Sequence, residues 1–194
     1  MPRTPAYDRT EALDHAVRVF WEKGYWDTSI ADLVEATGVQ RYGLYASFGD
    51  KHGLFLEALE RYHDTVLAGL LRELERPGAA LPEVEAYLER LAAIAKRPGA
   101  SRGCLICNTA AELGEDDPDV AARVGAYTGR LTGAFRAALI RARALGQVPD
   151  GLNADEAARF LTGVVVGASV YARTPRGGEA VPALLTVAAR ALRG

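Results

Sequence analysis

Apolar residues recur every three or four positions along most of the chain and seldom alternate with polar ones, so the pattern predicts helices and no strand. A first helix runs from about Tyr7 to Lys23, with Leu13, Ala16, Val17 and Phe20 on one face and Gly24 as its stop. A second starts at Thr28 or Ser29, either of which can cap it, turns Ile30, Leu33 and Val34 inward and stops at Gly38. A third, from about Gln40 to Ser47, has Leu44 and Phe48 four apart and breaks at Gly49. Asp50 can cap a long fourth helix whose seam is Leu59, Tyr62, Val66, Leu70 and Leu74, running out before Pro77. A fifth covers about Glu83 to Lys96, and a sixth carries CLICNTAAEL and ends at Gly114. Asp117 and Pro118 open a long seventh helix reaching about Leu145, and Asn153 with Glu156 has the spacing of a capping box for the eighth. Pro182 falls near the start of the ninth. The expectation is an all-α chain of about nine helices.

Composition narrows the class of protein without naming a partner. The 194 residues are 49% hydrophobic and 25% charged, with a net charge of −2, which is the profile of an ordinary globular chain. The N-terminal residues join no basic run to an apolar one, so a cytoplasmic protein without a signal peptide is expected. The most apolar stretch, FLTGVVVGASVYA, has 13 residues and is too short to cross a bilayer core of about 30 Å. There is no paired-carboxylate pattern, nucleophile elbow or phosphate loop, so neither an enzyme nor a cofactor is expected.

The short ATGVQ turn between the second and third helices has the form of a helix-turn-helix. In such a motif the second helix enters the major groove and its leading residues reach base edges. Gln40, Arg41 and Tyr42 occupy that end: Arg41 can donate two hydrogen bonds to guanine, and Gln40 can pair with adenine. Thr28 and Ser29 bring hydroxyls and free amides to a helix start that suits a phosphate, and Lys51 does the same beside the fourth helix.

The segment GYWDTSIADLVEATGVQRYGLYASFGDKHGLF resembles the DNA-binding part of the TetR family of bacterial transcription regulators. The match runs without a gap through Gly24-Tyr25, Thr28-Ser29-Ile30, Gly38-Val39, Leu44-Tyr45, Phe48, Lys51 and Leu54. The resemblance implies that Tyr45 reaches phosphate or a thymine methyl. It also implies a DNA-binding domain over residues 1–50, a helical effector-binding and dimerisation domain over 51–194, and release of double-stranded operator DNA when a small molecule fills a pocket. The chain departs from the family pattern at Gln40, where serine commonly caps the helix, and at Tyr42 and Gly43. The glycine weakens a short helix by about 0.5–1 kcal/mol relative to alanine.

Charge does not announce a DNA-binding face. Residues 1–51 hold six lysines and arginines against eight aspartates and glutamates. Binding requires the cations to gather on one side, with the arm Pro2, Arg3, Thr4 adding contacts.

Reading two half-sites requires two recognition helices, hence a homodimer. The helices near 118–145 and 154–172 are the expected interface, since Phe160, Leu161, Val164, Val165 and Tyr171 leave the eighth helix apolar around too much of its circumference for a monomer.

Cys104 and Cys107 are the chain's two cysteines, and with Asn108 they are its candidate effector or sensor residues. Zinc needs more ligands than this pair supplies, and His15, His52 and His63 are distant in sequence, so no metal is expected. The segment GCLICNTAAEL resembles a branch of the family in which a cysteine after a glycine senses electrophiles or oxidants, and Cys104 holds that position. Two buried, unreactive thiols are the alternative at this site. At the level of the whole protein, the alternative is a thiol-dependent redox enzyme centred on Cys104.

Overall fold

Short polar side chains fix where the helices begin. In the computed structural model, which describes residues 7–193, Asp8 accepts the amides of Thr10 and Glu11 and opens α1 (Arg9–Lys23). Ser29 and Asp32 close a reciprocal capping box at α2 (Ile30–Thr37), and Gly38 ends it in the left-handed region at φ 69°. Gln40 precedes α3 (Arg41–Phe48) without a side-chain cap bond. Asp50 accepts the Gly53 amide at 2.7 Å and opens α4 (Lys51–Tyr62). The same helix runs on through a π-helical stretch, His63–Leu67, and a last turn, Ala68–Leu71. Then come α5 (Leu81–Ala95), α6 (Leu105–Glu112), α7 (Pro118–Ala144), α8 (Ala154–Tyr171) and α9 (Gly177–Ala191). The described residues are therefore all helix and connection, in nine helices if α4 is counted through Leu71, and none of the helices is long and apolar enough to cross a membrane. The arm at Pro2, Arg3 and Thr4 lies outside the described residues.

Several expected boundaries move for local reasons. Tyr7 stays ahead of α1, where its hydroxyl donates to the Gly43 carbonyl and pairs with Ser47, tying the start of α1 to α3. Helix α9 begins at Gly177, so Pro182 lies inside it and Gly177 and Gly178 belong to its first turn. At α8 the cap bonds are those that Asn153 accepts from Asp155 and Glu156.

The π stretch changes which residues α4 buries. A regular helix would continue the seam from Tyr62 to Val66 and Leu70. The wider turn takes up an extra residue, and Leu67, Leu71 and Leu74 become the buried positions. Val66 and Leu70, the expected core residues, turn instead to the wall of a cavity.

Helices α1 to α3 pack against one another and against the first part of α4, while α7 and α8 form the spine of the remaining chain with α5 and α9 alongside. Helix α6 lies among α4, α7 and α8. The junction is aromatic: Phe20 meets Phe55 edge-on at 4.9 Å, Tyr25 also lies 4.9 Å from Phe55, and Trp21 meets Tyr62 edge-on at 4.9 Å. Because Phe55 is fully buried between α1 and α4, Phe55→Ala should lower unfolding stability by about 3–5 kcal/mol. A denaturant titration giving a loss under about 1 kcal/mol would mean that this contact does not hold the helices together.

Candidate nucleic-acid interface and effector cavity

The turn from Gly38 to Gln40 sets α3 across α2, with Leu44 and Phe48 buried beneath it and its leading edge outward. Gln40, Arg41 and Tyr42 are all exposed, Tyr42 at 86%, an unusual degree of exposure for a large aromatic side chain. The Arg41 guanidinium lies 5.1 Å from the centre of the half-buried Tyr45 ring, which holds both on one edge of the helix. Ser29 is exposed at the start of α2, where its hydroxyl donates to Asp32 at 2.7 Å. Lys51, in the first turn of α4, sits with its ammonium 4.4 Å over the Tyr25 ring, and burial pulls its pKa down against the pull of Glu112, Asp27 and Asp32.

Thr28 does not belong to this surface. It is 1% exposed, and its hydroxyl donates to the Gly24 carbonyl, so that group is not available to a phosphate. Thr28 and Ser29 look alike as helix-start residues in the sequence. The structure separates them, because Ser29 takes the cap and Thr28 turns into the core.

The acidic residues of this region are largely engaged in holding it together. Asp8 and Asp50 cap helices, Asp14 pairs with Arg61 at 2.7 Å, and Asp32 completes the α2 box while holding Lys23. Hydrogen bonds from Lys23 and Ser29 keep the Asp32 carboxyl well below the usual carboxylate range. None of these four acids lies on the leading edge of α3, which carries Arg41 as its charge.

Behind that surface, α6 reaches back to touch it. Glu112 at its C-terminal end accepts the backbone amides of Tyr25 at 3.0 Å and Trp26 at 2.7 Å, in the loop that leads into α2. Gly24 is required beside it: φ is +83°, and a Cβ there would come within 2.7 Å of the Glu112 carboxylate. Trp21 donates to the Gly103 carbonyl at 3.1 Å, and His52 meets Asp117 at 2.6 Å. No local pattern in the sequence marks Glu112 for this role, since its partners lie 86 and 87 positions away.

At the other end of α6 a cavity of about 410 Å³ opens between α1, α4, α5, α7, α8 and α9. Its volume is within the range of about 300–1,000 Å³ usual for small-molecule sites. Tyr62, Tyr87 and Tyr127 line it, and burial raises the pKa of each, so all three stay protonated and able to donate. Cys104 is on the wall. It is the N-cap residue of α6, in extended conformation, rather than a member of the first turn. The preceding Gly103 has φ +65°, and a Cβ there would come within 2.7 Å of the Ser169 carbonyl, so the approach to the cysteine depends on glycine.

The environment of the two sulfurs drives them apart. The Cys107 thiol, acting as donor, is the main influence lowering Cys104 to about 7, against the opposing effect of burial; the amides of Cys107 and Ile106 and the Tyr62 hydroxyl add to it. Cys107 is pushed up by the same interaction and by its own burial. Of the three expected effector residues, only Cys104 lines the cavity. Cys107 is buried beside it, and Asn108 donates to the Arg102 carbonyl at 2.8 Å, bracing the loop that carries Gly103.

Residues 12–58 match the family described as bacterial regulatory proteins, tetR family, and residues 80–187 match the tetracyclin repressor-like C-terminal domain. The chain is 32% identical to the HTH-type transcriptional repressor ComR of Escherichia coli strain K12, over 98% of this chain and 90% of that protein. It is 26% identical to the HTH-type transcriptional repressor DhaR of Mycobacterium sp. strain GP1, over 99% and 94% of the two chains. Among solved structures it superposes with a TM-score of 0.84 on a cysteine mutant of the TetR family transcriptional regulator CifR complexed with 26-base-pair operator DNA, at 32% identity, covering 98% of this chain and 99% of that one. These relatives are regulators, which favours that reading over a redox enzyme. With an outward helix-turn-helix edge, a helical body around a cavity, and both parts matched by the family's own domains, the chain belongs to the TetR family of bacterial transcription regulators.

Proposed function

We propose that this chain is a repressor that binds operator DNA as a homodimer and leaves it when an effector occupies the cavity. The observation that carries the proposal is the continuity of α6, which has Cys104 on the cavity wall at one end and Glu112 on the loop entering α2 at the other. Residues 1–50 act as the reading head, through Ser29, Gln40, Arg41, Tyr42 and Tyr45, joined by Lys51 at the start of α4, and residues 51–194 as the sensing and dimerising body. The comparison with an operator-bound relative supports the first assignment.

The surface of α7 and α8 supports the dimer. Phe160, Val170 and Tyr171 are about half exposed, an apolar surface on α8 that the single chain leaves facing water. Gly125, Gly129 and Gly133 repeat every fourth residue on α7, as Gly163 and Gly167 do on α8. A Cβ at any of the five would meet nothing within 4 Å, leaving room for close approach by a partner's helices. The fully assembled protein should sediment as a dimer.

Release requires that the effector bind the DNA-free conformation more tightly than the DNA-bound one. The π stretch of α4 supplies an element with a second arrangement, because Thr65, Val66 and Leu67 line the cavity in a helix whose first turn carries Lys51 and His52 beside the reading head.

One class of effector acts on Cys104 itself. Its lowered pKa makes it the reactive thiolate of the pair: with N-ethylmaleimide a sulfur–carbon bond forms at the alkene, and solvent protonates the carbon alpha to the carbonyl. Cys107 remains a protonated thiol.

Purified protein used to select genomic fragments yields the operator, and three measurements on it then follow. Arg41→Ala should weaken operator binding about tenfold or more, by loss of about 1–3 kcal/mol of base contact, with thermal midpoint and dimer mass unchanged. Full affinity in that variant, or a flat plot of log K against log salt, would refute the DNA-reading assignment. Alkylation of Cys104 should rise with pH around a midpoint near 7, rather than near the value of about 8.5 of a free thiol, and Cys104→Ser should stay on the operator after N-ethylmaleimide. If the serine variant is released as the parent is, Cys104 is not the sensor. Glu112→Ala should bind N-ethylmaleimide normally yet release the operator less completely; unchanged release would place the coupling elsewhere.

A further inference from the structure

We infer that the cavity takes a lipophilic monoanion, an aryl-alkyl carboxylate being the class that fits its walls and its mouth. The inference rests on the reading of the cavity as the effector site and adds the chemistry of what enters it.

The charged residues lining the cavity are Arg90 and Arg97, with no aspartate or glutamate among them. Both are exposed and so stand at the opening, whereas Cys104 and the three tyrosines are buried. Several other arginines of this chain hold carboxylates, among them Arg9, Arg61, Arg123, Arg130, Arg136 and Arg193 at 2.6–2.7 Å. Arg90 instead donates to the Gly69 carbonyl at 3.1 Å, and Arg97 has no ion-pair partner among the described residues. Two guanidiniums without counter-charges at the rim of an apolar cavity are complementary to an anionic head group.

The interior agrees with that polarity. Its walls are Trp21, Leu70, Leu91, Ile94 and Val165, with the tyrosine rings among them, which suits an aromatic or branched apolar body. Burial keeps the phenols of Tyr62, Tyr87 and Tyr127 protonated, and the Tyr62 hydroxyl is already directed to Cys104, so the tyrosines present neutral rings to the inward end of a ligand. The partly ionised sulfur of Cys104 lies at the buried end, so a bound anion places its head at the arginine rim and its apolar body inward. A cationic ligand finds no carboxylate among the lining residues.

The test uses the full-length protein without DNA and three probes of one shape at pH 7.4: 4-phenylbutyrate, 4-phenylbutanamide and 4-phenylbutylammonium. Calorimetry should show the carboxylate binding about tenfold or more tightly than the amide, with the ammonium weakest, since a charge-assisted hydrogen bond exceeds a neutral one by about that factor. In R90Q/R97Q the preference should disappear while amide affinity and melting temperature stay unchanged; both positions are exposed, so the variant is expected to fold. Equal or tighter binding of the amide or the ammonium, a preference that survives in the double variant, or no binding of any probe would overturn the assignment. Operator release is measured separately. Carboxylate binding that leaves the operator complex intact would refute the effector role of the cavity while leaving its anion preference standing.

Discussion

The two hydrogen bonds that Glu112 accepts from the amides of Tyr25 and Trp26 are the constraint on which the rest of the arrangement depends. They lie where a helix C-terminus, itself a site of partial negative charge, brings a carboxylate against a loop. Helix dipoles disfavour an acid at that end, so the position is stabilised by the amides and by the neighbouring Lys51 rather than by α6. Hydrogen bonds to a charged group contribute about 1.5–3 kcal/mol each, enough to set the position of the loop that starts α2. Gly24 records the same closeness from the other side, since a Cβ there would lie 2.7 Å from that carboxylate and φ +83° favours glycine.

This placement also reconciles the acidic composition of the N-terminal region with a DNA-facing surface. Six cations against eight acids argue against nucleic acid only if all are free. The structure uses Asp8, Asp32 and Asp50 at helix starts, where the dipole favours them, and pairs Asp14 with Arg61. These four acids are therefore held by the architecture, and the leading edge of α3 has Arg41 as its charge. A count of charges by segment cannot distinguish a cap from a free carboxylate, and a hydrogen-bond partner can.

The same distinction explains what was legible in the sequence. The helix-turn-helix was, because its punctuation is local: Ser29 with Asp32, Gly38, Gly49 and Asp50 each act within three or four residues of where they stand. The all-helical fold was, because its apolar period is carried by every helix. Thr28 was misplaced as a contact residue because a hydroxyl at a helix start has two possible directions, and only packing chooses between them. Asn108 was placed near the effector by its nearness to the cysteines, but its amide turns back to the loop at Arg102. The cavity was illegible as a site because its walls come from six helices, and Tyr62 reads as a seam residue, which it also is.

The π stretch shows why a cavity exists at all in a chain so well supplied with leucine and valine. Had α4 stayed regular past Tyr62, Val66 and Leu70 would have continued the buried seam against the neighbouring helices. The extra residue in the turn passes that task to Leu67 and Leu71 and leaves the two displaced side chains facing space. π turns are rare and occur mostly as single-turn bulges inside α-helices, as this one does. A ligand that fills the space meets Val66 and Leu70 directly, in the π-helical stretch and the turn that follows it. The first turn of that same helix carries Lys51 and His52, so the helix that shapes the cavity also supports the reading head.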